Sequence, residues 1–276
     1  MSQLISVIIP TFNRSPLLLR AVKSVLNQSY SDFEIIIVDD GSTDNTEAVI
    51  TPFIGPRVKY YRQINKGVAA ARNYGIKQAI GNWIAFLDSD DEWLSHKLQS
   101  QINHLQENPL CRMIFSEEIW HKNGTRINQK IIHQKSGGFL FEKCIQQCFI
   151  GPSTVLMEKS LLEEMNYFDE SFVVCEDYDL WLKISSKYEI SFIADPLIIK
   201  HGGHSDQLST QFIAMDKWRL RALKAILMTR NLTDYQKTAV VNFMKKKGEI
   251  LIKGFEKHSN PDGAAEIRAL IKEVGD

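Results

Sequence analysis

The sequence predicts an α/β fold, a Rossmann-like mixed sheet with helices on both faces, and three observations predict it. Strand-length apolar runs at residues 5–9, 34–38 and 83–87 are near-continuous rather than alternating, as strands buried on both faces are. Segments with apolar residues at helical spacing separate them. Polar residues gather where the runs end, at Thr11-Phe12-Asn13-Arg14, Asp39-Asp40 and Asp88-Ser89-Asp90-Asp91. In sheets of this kind ligands bind at the carboxyl ends of the strands.

In chain order, Ile5-Ser6-Val7-Ile8-Ile9 is the first strand, broken by Pro10. Ser15-Pro16 supplies an N-cap with proline at the first helical position, and Leu18, Leu19, Val22, Val25 and Leu26 follow at helical spacing. The second strand, residues 34–38, ends in a turn through Asp44 that leads to a short helix reaching Val49. Residues 58–61 form the third strand, and Asn65-Lys66-Gly67 turns into the alanine-rich helix 68–75. Trp83-Ile84-Ala85-Phe86-Leu87 follows a Gly81-Asn82 turn as the fourth strand, with a helix expected over 94–105. Regular alternation then stops. Residues 113–120 read as a strand, with an Asn123-Gly124 hairpin turn toward 127–132. Residues 149–155 read as a loop entering a strand, 158–165 as a short helix, 178–184 as a helix burying Leu180, Trp181 and Ile184, and 190–194 as a strand. From Phe212 onward the chain is helical: a Met215, Trp218, Ala222, Ala225, Ile226 stripe, a capping box at Thr233-x-x-Gln236, and a third helix from Asn260-Pro261. The expected division is a catalytic domain at 1–210 and a C-terminal helical extension at 211–276.

The totals exclude several classes. The 276 residues carry 33 basic and 33 acidic side chains, which gives no argument for nucleic acid as a partner. Residues 211–276 hold 13 basic and 8 acidic residues, so the tail is basic and the remainder acidic. A basic amphipathic tail suits peripheral contact with a membrane's inner face, packing on the catalytic domain, or a homodimer. Four scattered cysteines without a Cys-x-x-Cys argue against a zinc knuckle or a disulfide framework. No leader pattern and no membrane-length apolar run is read, so a cytoplasmic protein is expected.

The chemistry is read from the strand ends. No Gly-x-Gly-x-x-Gly follows the first strand and no P-loop occurs, so any phosphate must be held by a cation and basic side chains. Arg14, Lys66 and Arg72 are the candidates, Arg72 for its planar fork; the alternative for Arg72 is a solvated helix-face arginine. Along an extended backbone Asp88 and Asp90 project to one side, where hard oxygen ligands suit Mg²⁺ or Mn²⁺. A solvated acidic turn capping the next helix is the alternative. Glu176 and Asp177 open a helix, as caps or as a general base. The histidine pair His201 and His204 lies in a glycine-flanked loop, where the open readings are completing a metal shell, touching a phosphate, or neither.

With these residues in place, the chain resembles the family 2 glycosyltransferases, inverting enzymes of the GT-A fold, over roughly residues 4–205. The match is carried by Val7-Ile8-Ile9-Pro10-Thr11-Phe12-Asn13-Arg14, Ile37-Val38-Asp39-Asp40-Gly41-Ser42-Thr43-Asp44, Asn65-Lys66-Gly67 with Ala71-Arg72-Asn73, Phe86-Leu87-Asp88-Ser89-Asp90-Asp91, and Glu176-Asp177. The resemblance implies a UDP-sugar donor and a saccharide or lipid-linked acceptor in surface-glycan synthesis. It places Pro10, Thr11, Asn13, Arg14, Asp39, Lys66, Gly67, Arg72, Asp88 and Ser89 around the nucleotide, with Asp39 accepting the base's imide N–H. Asp88-Ser89-Asp90 looks like the family's DxD motif, with Asp90 and Asp88 on Mn²⁺ or Mg²⁺. His201 or His204 falls where some relatives carry a metal-ligating histidine. Asp91, Trp93 and Gly151-Pro152-Ser153 are expected near the donor or acceptor sugar, and Asp177 with Glu176 at the catalytic base. A sugar-phosphate nucleotidyltransferase and a non-catalytic nucleotide-sugar sensor are the competing expectations.

Overall fold

The computed structural model describes residues 3–129, 134–203, 214–229 and 232–274. The chain forms two compact units: residues 1–138, 150–173 and 189–204 in the first, and 139–149, 174–188 and 205–276 in the second.

The first unit is built on a sheet. Strands β1 (Ile5–Thr11) and β2 (Phe33–Asp39) are buried along their whole length, as continuous apolar runs require. Each buried Ile or Val there contributes about 1.5–3 kcal/mol relative to leaving it in water. β1 pairs in parallel with β2 and with β4 (Trp83–Phe86), and β2 pairs in parallel with β3 (Val58–Arg62). Helices α1 (Ser15–Leu26), α2 (Thr46–Ile50) and α3 (Val68–Gln78) follow the first three strands. After β5 (Glu92–Trp93) and α4 (Lys97–Glu107) come β6 (Met113–Lys122), β7 (Thr125–Ile127), β8 (Leu156–Glu158), α6 (Lys159–Glu164) and β9 (Ser191–Gly202). The sheet order is β3-β2-β1-β4-β8-β6-β9-β5, with β7 beside β6. β8 runs antiparallel to both neighbours, whereas β9 runs parallel to β6 and antiparallel to β5. The expected mixed sheet is therefore present.

Proline inside the central strand β1 has a simple geometric reason. The Ile8 carbonyl accepts from Leu87 N, so Ile8 and, two residues on, Pro10 face β4. β4 pairing stops at Ile8–Phe86, so Pro10 withholds no ladder bond.

The second unit is helical: α5 (Phe141–Gln146), α7 (Glu176–Ser185), α8 (Met215–Thr229), α9 (Asp234–Lys257) and α10 (Pro261–Lys272). The Tyr178 hydroxyl donates to Ile145 O at 2.7 Å, tying α7 to α5. Thr233 and Gln236 form the expected capping box on α9, and Asn260 caps α10. Lys217, Arg219, Arg221 and Lys224, the cations beside the α8 stripe, pair with Glu266, Asp216, Glu266 and Glu273 respectively. Each of these cations is thus ion-paired within the unit. Among the described residues no helix is long and apolar enough to cross a membrane.

Several local expectations are corrected. Arg14, not Ser15, occupies the N-cap of α1, and Ser15 is its first residue; its N–H is taken by Asp44, so the serine need not cap. Residues 88–91 form a turn rather than an extended segment, closed by Asp91 N donating to Asp88 O at 2.9 Å. Lys200-His201-Gly202 belong to β9 and not to a loop, because β6 continues far enough to pair with them. The strand expected over 127–132 ends at Ile127, and residues 130–133, His204 and Phe212 lie outside the described residues.

Candidate functional site

In the first unit, the ends of β1, β2 and β4 bring the expected nucleotide residues together. Thr11 closes β1 beside Asp39, its register partner at the end of β2. The Thr11 hydroxyl is buried with no hydrogen-bond partner among the described residues. Asp39 is 1% exposed; its Oδ1 accepts from Ser42 N at 2.7 Å and its Oδ2 from the Tyr60 hydroxyl at 2.5 Å. Burial and that carboxylate push the Tyr60 phenol well up, so it stays a donor that orients Asp39. Asn13 sits at φ 52° and fastens two loops: its N–H donates to Ser42 Oγ and its Oδ1 accepts from Thr43 N. Asp40, the neighbour of Asp39, is given over to backbone. Its carboxylate accepts from Lys66 N at 2.9 Å, Gly67 N at 2.8 Å and Gln63 Nε2 at 2.7 Å. Gly67, at φ 91°, makes the turn that starts α3. Lys66 is exposed and contributes its backbone N–H to this turn.

Helix α3 carries Arg72, which is buried rather than solvated. Its guanidinium donates to Asp88 Oδ1 at 2.7 Å and lies 5.3 Å over the Phe168 ring. Arg14 pairs with Asp90 Oδ2 at 2.8 Å, and Arg20 donates to the Asp90 carbonyl at 2.5 Å. Arg72 and Arg14 therefore each pair with one carboxylate of the turn, Asp88 and Asp90, and Arg20 holds its backbone. Asp91 is buried behind them. Its Oδ2 accepts from Ser153 Oγ at 2.6 Å and its Oδ1 from His201 N at 3.3 Å, while Ser153 Oγ accepts from Asp88 N at 3.1 Å. Burial, with Asp90 and Asp88 adding and Lys200 opposing, pushes Asp91 up to about 8. Burial and then Asp88 also raise Asp90. Ser89 is buried within the turn.

The carboxylates of this turn are the candidates for a divalent cation. Two hard carboxylates repel one another at one bend, and each has only one oxygen engaged by an arginine: Asp88 Oδ1 and Asp90 Oδ2. Among the described residues no set of three or more His, Cys, Asp or Glu groups forms a protein-only cage. A divalent cation here would have to draw the rest of its shell from phosphate and water. The His201 ring faces Glu92, Nε2 to Oε2 3.3 Å, and the His121 ring at 5.4 Å. Burial and then Arg20 lower its pKa, which keeps the imidazole neutral.

The expected sugar residues divide. Ser153 joins the acidic turn directly, at the end of the Gly151–Pro152 segment. Trp93 is 3% exposed: its indole donates to Ser153 O at 2.9 Å, and the Lys97 ammonium lies 4.0 Å over its ring. It braces the 152–154 turn from inside the core. Arg20, Tyr60 and Lys200 were not singled out by the sequence reading. Their partners lie tens of residues away, and no local pattern marks them.

In the second unit, Glu176 and Asp177 open α7, after Cys175 in a left-handed conformation at φ 66°. Asp177 Oδ1 accepts from Tyr178 N at 2.7 Å, and its Oδ2 accepts a weak bond from the Cys148 thiol at 3.2 Å. Glu176 is buried.

The model of glycosyl transferase family 2 matches residues 6–165. The chain belongs to glycosyl transferase family 2. The matched stretch contains Thr11, Asp39, Arg72, the Asp88–Asp91 turn and Ser153, and it ends before Glu176-Asp177 and His201. Among the family's members, the chain is similar to an uncharacterized glycosyltransferase, RC0461, of Rickettsia conorii, at 43% identity over 196 residues. That alignment covers 68% of this chain and 31% of the relative, so the chain spans about a third of that protein's length. It is 37% identical over 191 residues to WfgD of Escherichia coli, a UDP-Glc:alpha-D-GlcNAc-diphosphoundecaprenol beta-1,3-glucosyltransferase, covering 69% of this chain and 73% of that one. In fold it is similar to S. aureus TarS 1-349 in complex with UDP-GlcNAc, with a TM-score of 0.79, 20% identity, and coverage of 98% of this chain and 82% of that one. The GT-A fold expected from the resemblance is thereby present in this chain.

Proposed function

We propose that this family 2 chain is a metal-dependent, inverting glycosyltransferase that moves a sugar from a UDP-sugar to an acceptor hydroxyl. The observation that carries the reading is the bend at the end of β4, where Asp88 and Asp90 each keep a carboxylate oxygen clear of their arginine partners. A lipid-linked saccharide is the proposed acceptor class, supported by the diphosphoundecaprenol-linked acceptor of the E. coli relative WfgD.

Thr11 and Asp39 hold the base, with Asp39 oriented by Ser42 and Tyr60. Arg72 and Arg14 counter the negative charge of a bound diphosphate, since their forks already lie against carboxylates at this place. Mg²⁺ or Mn²⁺, held by Asp90 and Asp88, would neutralise charge on the departing diphosphate. Asp177 takes the proton from the acceptor hydroxyl as it attacks the anomeric carbon from the face opposite the leaving group. That single displacement inverts the configuration. Residues 1–210 are proposed as the catalytic part, with 211–276 as its helical extension, and contact with a membrane surface or a second copy is assigned to that extension.

Calorimetric titration with UDP, GDP, dTDP and CDP, each with and without Mn²⁺, tests the donor and the metal together. UDP is expected to bind tightest, to need Mn²⁺, and to lose affinity in Asp90→Ala. No metal-dependent binding of any of the four would sink the reading. Asp177→Asn is expected to keep UDP affinity and lose kcat by roughly 10²–10⁴-fold. Unchanged turnover in that variant would remove Asp177 from the base's role and leave a different proton acceptor to be found.

A further inference from the structure

On strand β6, in the first unit, Glu118 presents a buried carboxylate that the proposed mechanism does not use. Its Oε1 receives the Trp120 indole N–H at 2.7 Å and lies 2.9 Å from the Lys135 ammonium. Its Oε2 is buried and has no hydrogen-bond partner among the described residues. Burial works to raise its pKa, but Lys200, Lys135 and Trp120 outweigh it and hold the group below its ordinary value, hence charged. A buried oxygen without a hydrogen-bond partner is costly to a fold. Such an acceptor calls for an explanation.

The surroundings say what the oxygen is for. It is aimed at Gly151, where a Cβ would stand 3.3 Å from Oε2 and 3.9 Å from Lys200 Nζ. Gly151 has an ordinary φ of −85°, so no backbone conformation demands glycine there, and an added Cβ would crowd Oε2 by a few tenths of an ångström. The segment from Gly151 runs two residues to Ser153, whose hydroxyl bonds both Asp91 and the backbone of Asp88. Lys200 acts electrostatically on Glu118, Asp90 and Asp91 alike. The bare oxygen and the acidic turn therefore belong to one polar assembly linked through 151–153.

We propose that Glu118, across the space left by the absent side chain of Gly151, accepts a hydrogen bond from a free hydroxyl of the transferred sugar and so selects which sugar the donor carries. The inference rests on the UDP-sugar reading above. An ionised carboxylate is an acceptor only, so a hydroxyl satisfies it, while an acetylated, methylated or absent hydroxyl at that position leaves it unpaired. Sites that leave a buried polar group unpaired reject such analogues strongly.

The full chain, with Mn²⁺, is titrated with UDP, UDP-glucose, UDP-galactose and UDP-GlcNAc as wild type, Glu118→Gln and Gly151→Ala. Wild type is expected to bind one UDP-hexose more tightly than UDP. Both variants are expected to hold UDP affinity within about twofold and to weaken that hexose by about 10–100-fold, the loss of one charged hydrogen bond. Gly151→Ala screens Oε2 while leaving the Glu118–Lys135 pair in place, so it decides the matter if Glu118→Gln fails to fold. Variants that keep the full preference for the hexose over UDP overturn the proposal and assign Oε2 to an enclosed water. A wild type that binds no UDP overturns the donor reading first.

Discussion

Asp40 shows how closely ligand chemistry and loop construction can sit in one dipeptide. Asp39 faces the expected base, while Asp40 commits both oxygens to the Gln63, Lys66 and Gly67 donors that shape the start of α3. Removing it leaves two backbone N–H groups without their charged acceptor. Asp40→Ala is expected to lower stability by about 1.5–3 kcal/mol and to weaken UDP as well, because the turn it holds precedes Arg72. Denaturant titration and UDP calorimetry check this, and an unchanged unfolding midpoint would show the turn to be self-supporting. At this scale the sequence was readable where a local pattern marks a residue and opaque where residues meet distant parts of the fold. Asp39 and the Asp88–Asp91 run stood after strand-length apolar runs, and Arg72 on an alanine-rich helix, in recognisable order. Asp40, Arg20 and Tyr60 act on atoms 20 or more residues away, and such partnerships leave no period or spacing behind.

The elements hold the site from both ends of the sheet. At the starts of the strands Glu34, itself buried, receives Ser6 Oγ at 2.7 Å, Ile80 N at 2.8 Å and Lys59 Nζ at 2.8 Å. Burial alone would raise Glu34, yet these three partners together hold it below its ordinary 4.5. A carboxylate with a depressed folded-state pKa stabilises the fold above the unfolded value, and that contribution is lost as pH falls through the folded one. The stability advantage of wild type over Glu34→Gln is therefore expected to be full above about pH 5 and to shrink progressively below pH 4.5. Urea titrations from pH 7 to pH 3 measure it; an advantage that grows on acidification would contradict the assignment. At the opposite end, Asn73 exchanges two bonds with the backbone of Phe168, 2.9 and 3.0 Å, which sets the ring beneath Arg72. The parallel half of the sheet was legible because β1, β2 and β4 are continuous apolar runs. The 88–91 bend and the length of β9 were not, since Asp-rich and Gly-rich stretches are compatible with strand, turn or loop until a neighbour is known.

Over the whole molecule the charges cancel, with 33 of each sign. A protein without net charge has little self-repulsion, so solubility at low salt is expected to be lowest near pH 7 and to rise toward pH 9, which light scattering of concentrated samples would follow. The helical unit sharpens the point. Glu266 serves Lys217 and Arg221 together, all three partly exposed, so Glu266→Gln is expected to cost less than about 1 kcal/mol, and less still at high salt. The far side of the sheet carries a different consequence, one of timing. β6 ends at Lys122, but β9, the strand that pairs along it, ends at Gly202. At about 5–20 residues per second, a ribosome needs roughly 4–16 s to deliver the intervening stretch. For that interval the nascent chain displays an apolar strand edge without its neighbour, the kind of edge on which chains stick together.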